Sequence, residues 1–112
     1  MKRTTDKLPL LLTTDNLPDG SPPSEYGSTI FVTHIQASNV VRDIKENIRN
    51  IVGGRMQHYE GLINSTTEMA LEKMRVRLQN EGWHGALSIR ISHPNVVDGG
   101  CEILVYGTPF KR

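Results

Sequence analysis

From Arg55 to about Glu81 the chain reads as one long helix, and this stretch limits the possible folds more than any other. Leu62, Met69 and Val76 lie seven apart, Ile63 with Ala70 and Leu71 with Leu78 make parallel rows, and Met74 fills the same broad face. Glu68, Glu72, Arg75 and Gln79 line the opposite side, a solvated face, and Gly82 ends the helix. At ~1.5 Å per residue such a helix is ~40 Å long, more than a small domain needs for its own core. The whole chain has 112 residues, a size that suits one domain burying roughly 65% of its unfolded surface. A long helix in so small a chain therefore predicts packing on neighbouring copies.

The rest of the chain supplies strands for that helix to cover. Residues 28–37, "STIFVTHIQA", read as a strand, with Thr29, Phe31, Thr33, Ile35 and Ala37 on one face and Ile30, Val32, His34 and Gln36 on the other. Both faces are partly apolar, which predicts a central strand or one whose second face meets a subunit. After the helix, Leu87, Ile89 and Ile91 alternate with Ser88, Arg90 and Ser92, and Cys101, Ile103 and Val105 alternate with Glu102, Leu104 and Tyr106. The intervening "HPNVVDGG" carries turn chemistry, so these two runs form a hairpin. Leu10–Thr14 reads as a short strand, which Pro9 confines to an edge or a strand start. "TDNLPDGSPPSEYG" reads as loop. Residues 40–52 form a shorter helix, with Val40, Ile44, Ile48 and Val52 four apart and Gly53 as its stop. The order β-β-α-α-β-β predicts a two-layer α+β domain spanning residues 1–112, an antiparallel sheet under one long and one short helix, with residues 1–7 as a flexible N-terminus.

Charge and cysteine content exclude several function classes. Thirteen basic and twelve acidic residues leave a net charge of +1, neither a nucleic-acid footprint nor a polybasic membrane patch. One cysteine, Cys101, rules out an intrachain disulfide and fits a reducing compartment. The apolar run Leu8–Leu12 is too short for a signal peptide, and no run approaches the ~20 apolar residues of a membrane span. The expected location is the cytoplasm.

The residues able to carry chemistry are few. His34, His58, His84, His93 and Cys101 are the candidate soft or borderline metal ligands, but no two have C-x-x-C, H-x-x-x-H or H-E-x-x-H spacing. A metal site has to be assembled across the fold or between subunits, with His34, His93 and Cys101 the candidates. Cys101 alternates with core-type residues, so an inert buried thiol is the plainer state than a nucleophile. Gly53-Gly54-Arg55 offers free N–H groups and a guanidinium to an anion. No Lys-Ser/Thr follows it and no strand precedes it, which excludes the phosphate loops of nucleotide-binding proteins. The plainer reading there is a helix–helix corner.

The run "NIRNIVGGRMQHYE", the long helix behind it and the closing "CEILVYGTPFK" resemble the YbjQ family, small bacterial and archaeal proteins labelled heavy-metal-binding. The similarity covers roughly residues 8–111. It implies a dodecin-like α+β subunit, a ring-shaped homo-oligomer of five copies, and a divalent heavy metal as candidate cofactor. Carried over residue by residue, the matched positions are Ile51, Val52, Gly53, Gly54, Arg55, Tyr59 and Glu60, of which Gly53, Gly54, Arg55, Tyr59 and Glu60 are the expected ligand-binding or interface motif. Met56 stands where the family usually has a small residue, and "GWHGALSIRISHP" lacks the acidic pair usual in that strand. The expectation is a non-enzymatic homo-oligomeric binding or scaffold protein, followed by a metal-binding protein with a site between subunits, and then by a hydrolase or transferase with a site there.

Overall fold

A computed structural model of the protein describes residues 8–37, 56–93 and 100–112, with residue 37 and residues 56–59 described by their backbone element alone. Its strands are β1 (Leu10–Leu11), β2 (Glu25–Tyr26), β3 (Ile30–Ala37), β4 (Gly85–Ser92) and β5 (Gly100–Lys111), and its helix α1 runs Met56–Asn80. The shorter helix expected over residues 40–52, the Gly53-Gly54-Arg55 corner and most of the hairpin turn lie outside the described residues.

β5 is the spine of a five-stranded sheet. β4 pairs along one side of it, and β2 followed by β3 pair along the other, all antiparallel. β1 pairs β4 in parallel, so the sheet is mixed and not antiparallel throughout. The parallel strand forms because Leu10–Leu11 enter beside the start of β4, where Leu10 N–H donates to His84 O at 3.1 Å and Leu12 N–H to Ala86 O at 3.0 Å. Pro9, which has no N–H to give a ladder, sits just before this outer strand as expected. β2 falls inside the stretch read as loop. Its two residues pair with Lys111 and Phe110 at the far end of β5, a partner that local composition does not reveal.

Among the described residues β3 pairs β5 alone, so there it is an edge strand and not the central strand that was one of the two alternatives expected. Its outward carbonyls are guarded by the helix: Lys73 Nζ donates to Thr33 O at 2.8 Å, and Arg77 Nη1 donates to Phe31 O. Cations on an edge discourage pairing with a stray strand.

The core lies between α1 and the inner face of the sheet. Leu62, Ala70, Met74 and Leu78 pack on Ile30, Val32, Ala86, Ile89, Cys101, Ile103 and Val105. Within α1 the buried row is Leu62, Thr66, Ala70, Met74 and Leu78, each four residues on. Met69 and Val76, predicted for the core row, are about half exposed. The reason is the ridge the helix uses: the four-spaced row rests on the sheet, and the seven-spaced row lies to its side. Gly82 adopts φ +81° and closes the helix as read from sequence.

β4 contains the feature that positions the site. Leu87 pairs with Thr108 and Arg90 with Tyr106, so two residues, Ser88 and Ile89, face Gly107. This is a β-bulge, and Ser88 takes φ 53° to make it. The expected single face of Leu87, Ile89 and Ile91 is therefore split. Ile89 joins the helix-side core, whereas Leu87 joins Phe110, Leu17 and Leu12 on the opposite side. The bulged N–H groups are used by the N-terminal segment, Ser88 N–H donating to Thr14 O and Ile89 N–H to Leu12 O, both at 2.9 Å.

Candidate functional site

The bulge decides where His93 goes. Ala86 faces the helix; strict alternation from it would send 88, 90 and 92 to that face and leave His93 on the other. The extra residue shifts the parity, so Ile89, Ile91 and then His93 follow the helix side, the side of Cys101. Cys101 Sγ and His93 Nε2 lie 3.5 Å apart. The thiol is fully buried on β5 and the imidazole, just beyond the end of β4, is exposed, so the pair has one dry end and one open to solvent.

Gln36 of β3 stands directly opposite Cys101. Cysteine on the central strand thus has Gln36 on one flank and His93 on the other. Above them, Thr66 of α1 is fully buried; its Oγ1 lies 2.7 Å from Leu62 O and 2.9 Å from the Gln36 amide, with Oε1 facing it. Gln36 and Thr66 carry no signal in the sequence as site residues: one alternates in a strand and the other sits inside a helix, and only the register brings them to Cys101.

His34 does not join. It pairs with Ile103, and one residue beyond the Ser92–Leu104 pair His93 comes level with the same Ile103 on the other side. Two strand spacings, about 10 Å, then separate the backbones of the two histidines, with Ile103 between them. Among the described residues no three of His, Cys, Asp and Glu form a metal-sized cluster. Of the expected ligand or interface motif, Gly53, Gly54 and Arg55 lie outside the described residues, Tyr59 belongs to the first turns of α1, and Glu60 is exposed there.

A thiol and an imidazole make a fitting donor pair for a borderline or soft metal ion. A tetrahedral ion bound at ~2.3 Å to sulfur and ~2.0 Å to nitrogen, at an angle of about 109°, holds those donors ~3.5 Å apart. The observed separation matches without rearrangement.

Elsewhere, the outer face of the sheet leaves Phe31, Ile35 and Tyr106 at 56%, 59% and 39% exposure, beside partly covered Leu104. Among the described residues no helix is long and apolar enough to cross a membrane.

A family model described as "putative heavy-metal-binding" matches residues 10–111. A UPF0145 protein of Halobacterium salinarum is 34% identical over 74 residues, 66% of this chain and 71% of its own. One of Acinetobacter baylyi is 34% identical over 83 residues, covering 74% and 72% of the two chains. One of Vibrio parahaemolyticus is 28% identical over 99 residues, covering 88% and 93%. The matches bear out the resemblance read from the glycine-rich corner and the closing strand.

Proposed function

The chain belongs to the YbjQ family, and on that footing we propose that it is a binding protein for a thiophilic divalent metal ion, which acts as a homo-oligomer and not as an enzyme. The observation that carries this is the 3.5 Å approach of Cys101 Sγ to His93 Nε2. It raises the metal-binding alternative above the plain scaffold. Cys101 would supply a thiolate and His93 a neutral imidazole, and deprotonating both makes binding pH-dependent. The metal, when bound, supplies a cross-link between β4 and β5.

Elemental analysis tests this. Protein purified without a tag, incubated with Zn2+ and dialysed, is expected to retain the metal in stoichiometric proportion. Cys101→Ser with His93→Ala together should abolish retention, and His34→Ala should leave it unchanged. A wild-type chain free of metal would refute the reading.

The homo-oligomer is supported by the outer sheet face. An apolar group of Phe31, Ile35 and Tyr106 is what a monomer tends to avoid and a subunit contact uses. A dodecin-like ring of five is the assembly that the sequence resemblance implies. Ile35→Lys is then expected to lower the solution mass measured by light scattering toward 12.5 kDa, whereas a wild-type protein already at that mass would exclude assembly.

A further inference from the structure

The hydrogen bonds around Thr66 identify a third ligand. A threonine hydroxyl has one proton to donate. Thr66 Oγ1 lies 2.7 Å from Leu62 O and 2.9 Å from the atom of the Gln36 amide that faces it. If that atom is the oxygen, a single proton serves two acceptors, at a hydroxyl of the fully buried Thr66. Exchanging the amide's oxygen and nitrogen removes the conflict, since the two ends occupy nearly the same volume. Gln36 Nε2–H then donates to Thr66 Oγ1, and Thr66 donates to Leu62 O, a helical back-bond of the kind Thr67 also makes to Ile63 O at 2.7 Å. The hydroxyl proton and the amide proton that faces Thr66 then have one acceptor each.

This orientation turns the carboxamide oxygen away from Thr66, and among the described residues no hydrogen bond to it is formed. Gln36 and Cys101 are a directly opposed pair on the same face of β3 and β5, with side-chain roots ~5 Å apart in such pairs. The sulfur stands between Gln36 and His93. Resting on the metal-binding reading above, we propose that Gln36 Oε1 is the third donor from this chain, fixed in that role by Thr66. The site then holds a sulfur, a nitrogen and an oxygen, and keeps a fourth position for water or a group from a second subunit. Three-donor sites with one open position suit borderline ions such as Zn2+ and Co2+. Thr66 is a positioning residue: it orients the ligand without touching the metal.

Two measurements test this, one without metal. In the metal-free protein, NMR should show the Gln36 side-chain amide protons slowed in exchange and close to the Thr66 methyl, and Thr66→Val should return them to fast exchange. Amide protons exchanging freely in the wild type would overturn the assignment. With Zn2+ or Co2+, competition against a chelator should show Gln36→Leu weakening binding at least tenfold, on the order of what loss of a ligand's support alone does. Gln36→Glu, which keeps an oxygen there, should bind at least as tightly as wild type. Gln36→Leu with wild-type affinity, or Gln36→Glu as weak as Gln36→Leu, would overturn the third ligand and leave the Cys101–His93 pair standing. A wild-type chain that binds neither ion would overturn the metal reading itself, whatever the amide orientation.

Discussion

Phe110→Ala should destabilise the chain by about 3–5 kcal/mol, the range for removing a buried phenylalanine from a packed core. Phe110 is fully buried and joins Leu17, Leu87 and Leu12 on the sheet side away from α1. Its ring also fills the space above Gly85, where an added Cβ would come within 2.9 Å of it. The cavity left by alanine would loosen the N-terminal segment, whose Leu12 and Leu17 pack on this second core. Urea unfolding at fixed protein concentration reads the effect as a lower midpoint. A loss under about 1 kcal/mol would mean that the segment contributes little to the fold.

Gly107→Val has the next largest expected effect, about 1–3 kcal/mol. A Cβ on Gly107 would lie 2.8 Å from Ile89 Cδ1 and 2.9 Å from Leu87 O, and the second of these is backbone, which cannot swing aside. The bulge in β4 thus needs a bare position opposite it. The variant is therefore expected to disturb both stability and the placement of His93, so its metal retention should fall with its thermal midpoint. Full stability in Gly107→Val would show that the bulge tolerates a side chain there.

The helix, the edge position of β1 and the alternation of β5 were legible in the sequence because each rests on local periodicity. Gly82 as a helix stop was legible for the same reason. The parity of β4 was not. Leu87, Ile89 and Ile91 alternate cleanly, and Ser88 carries none of the usual marks of a bulge. The signal sat on the partner strand, as a glycine inside "LVYGTP", and a glycine within a strand is where a neighbouring backbone comes close. β3 read as central because both its faces carry apolar residues. Among the described residues it is an edge strand, with Phe31 and Ile35 exposed on its outer face and carbonyls held by Lys73 and Arg77.

The site was legible only as a set of candidates. His34, His93 and Cys101 are the right residue types, yet their spacing matches no ligand motif, and spacing could not choose among them. The choice depends on the register of three strands and one extra residue in β4, which together bring His93 to Cys101 and put Ile103 between the two histidines. Gln36 and Thr66 were missed because an amide in a strand and a hydroxyl in a helix are ordinary by themselves. Their meaning comes from the burial of Thr66, whose single proton can serve only one of the two acceptors beside it.

The most direct test of the central claim is a Co2+ titration of the metal-free protein followed by absorption spectroscopy. The account predicts a thiolate-to-cobalt charge-transfer band in the near ultraviolet that saturates as the site fills. The band should vanish in Cys101→Ser, weaken strongly in His93→Ala and persist in His34→Ala. A spectrum showing only aqueous Co2+, or a band that survives in Cys101→Ser, would contradict a metal site built on Cys101 and His93.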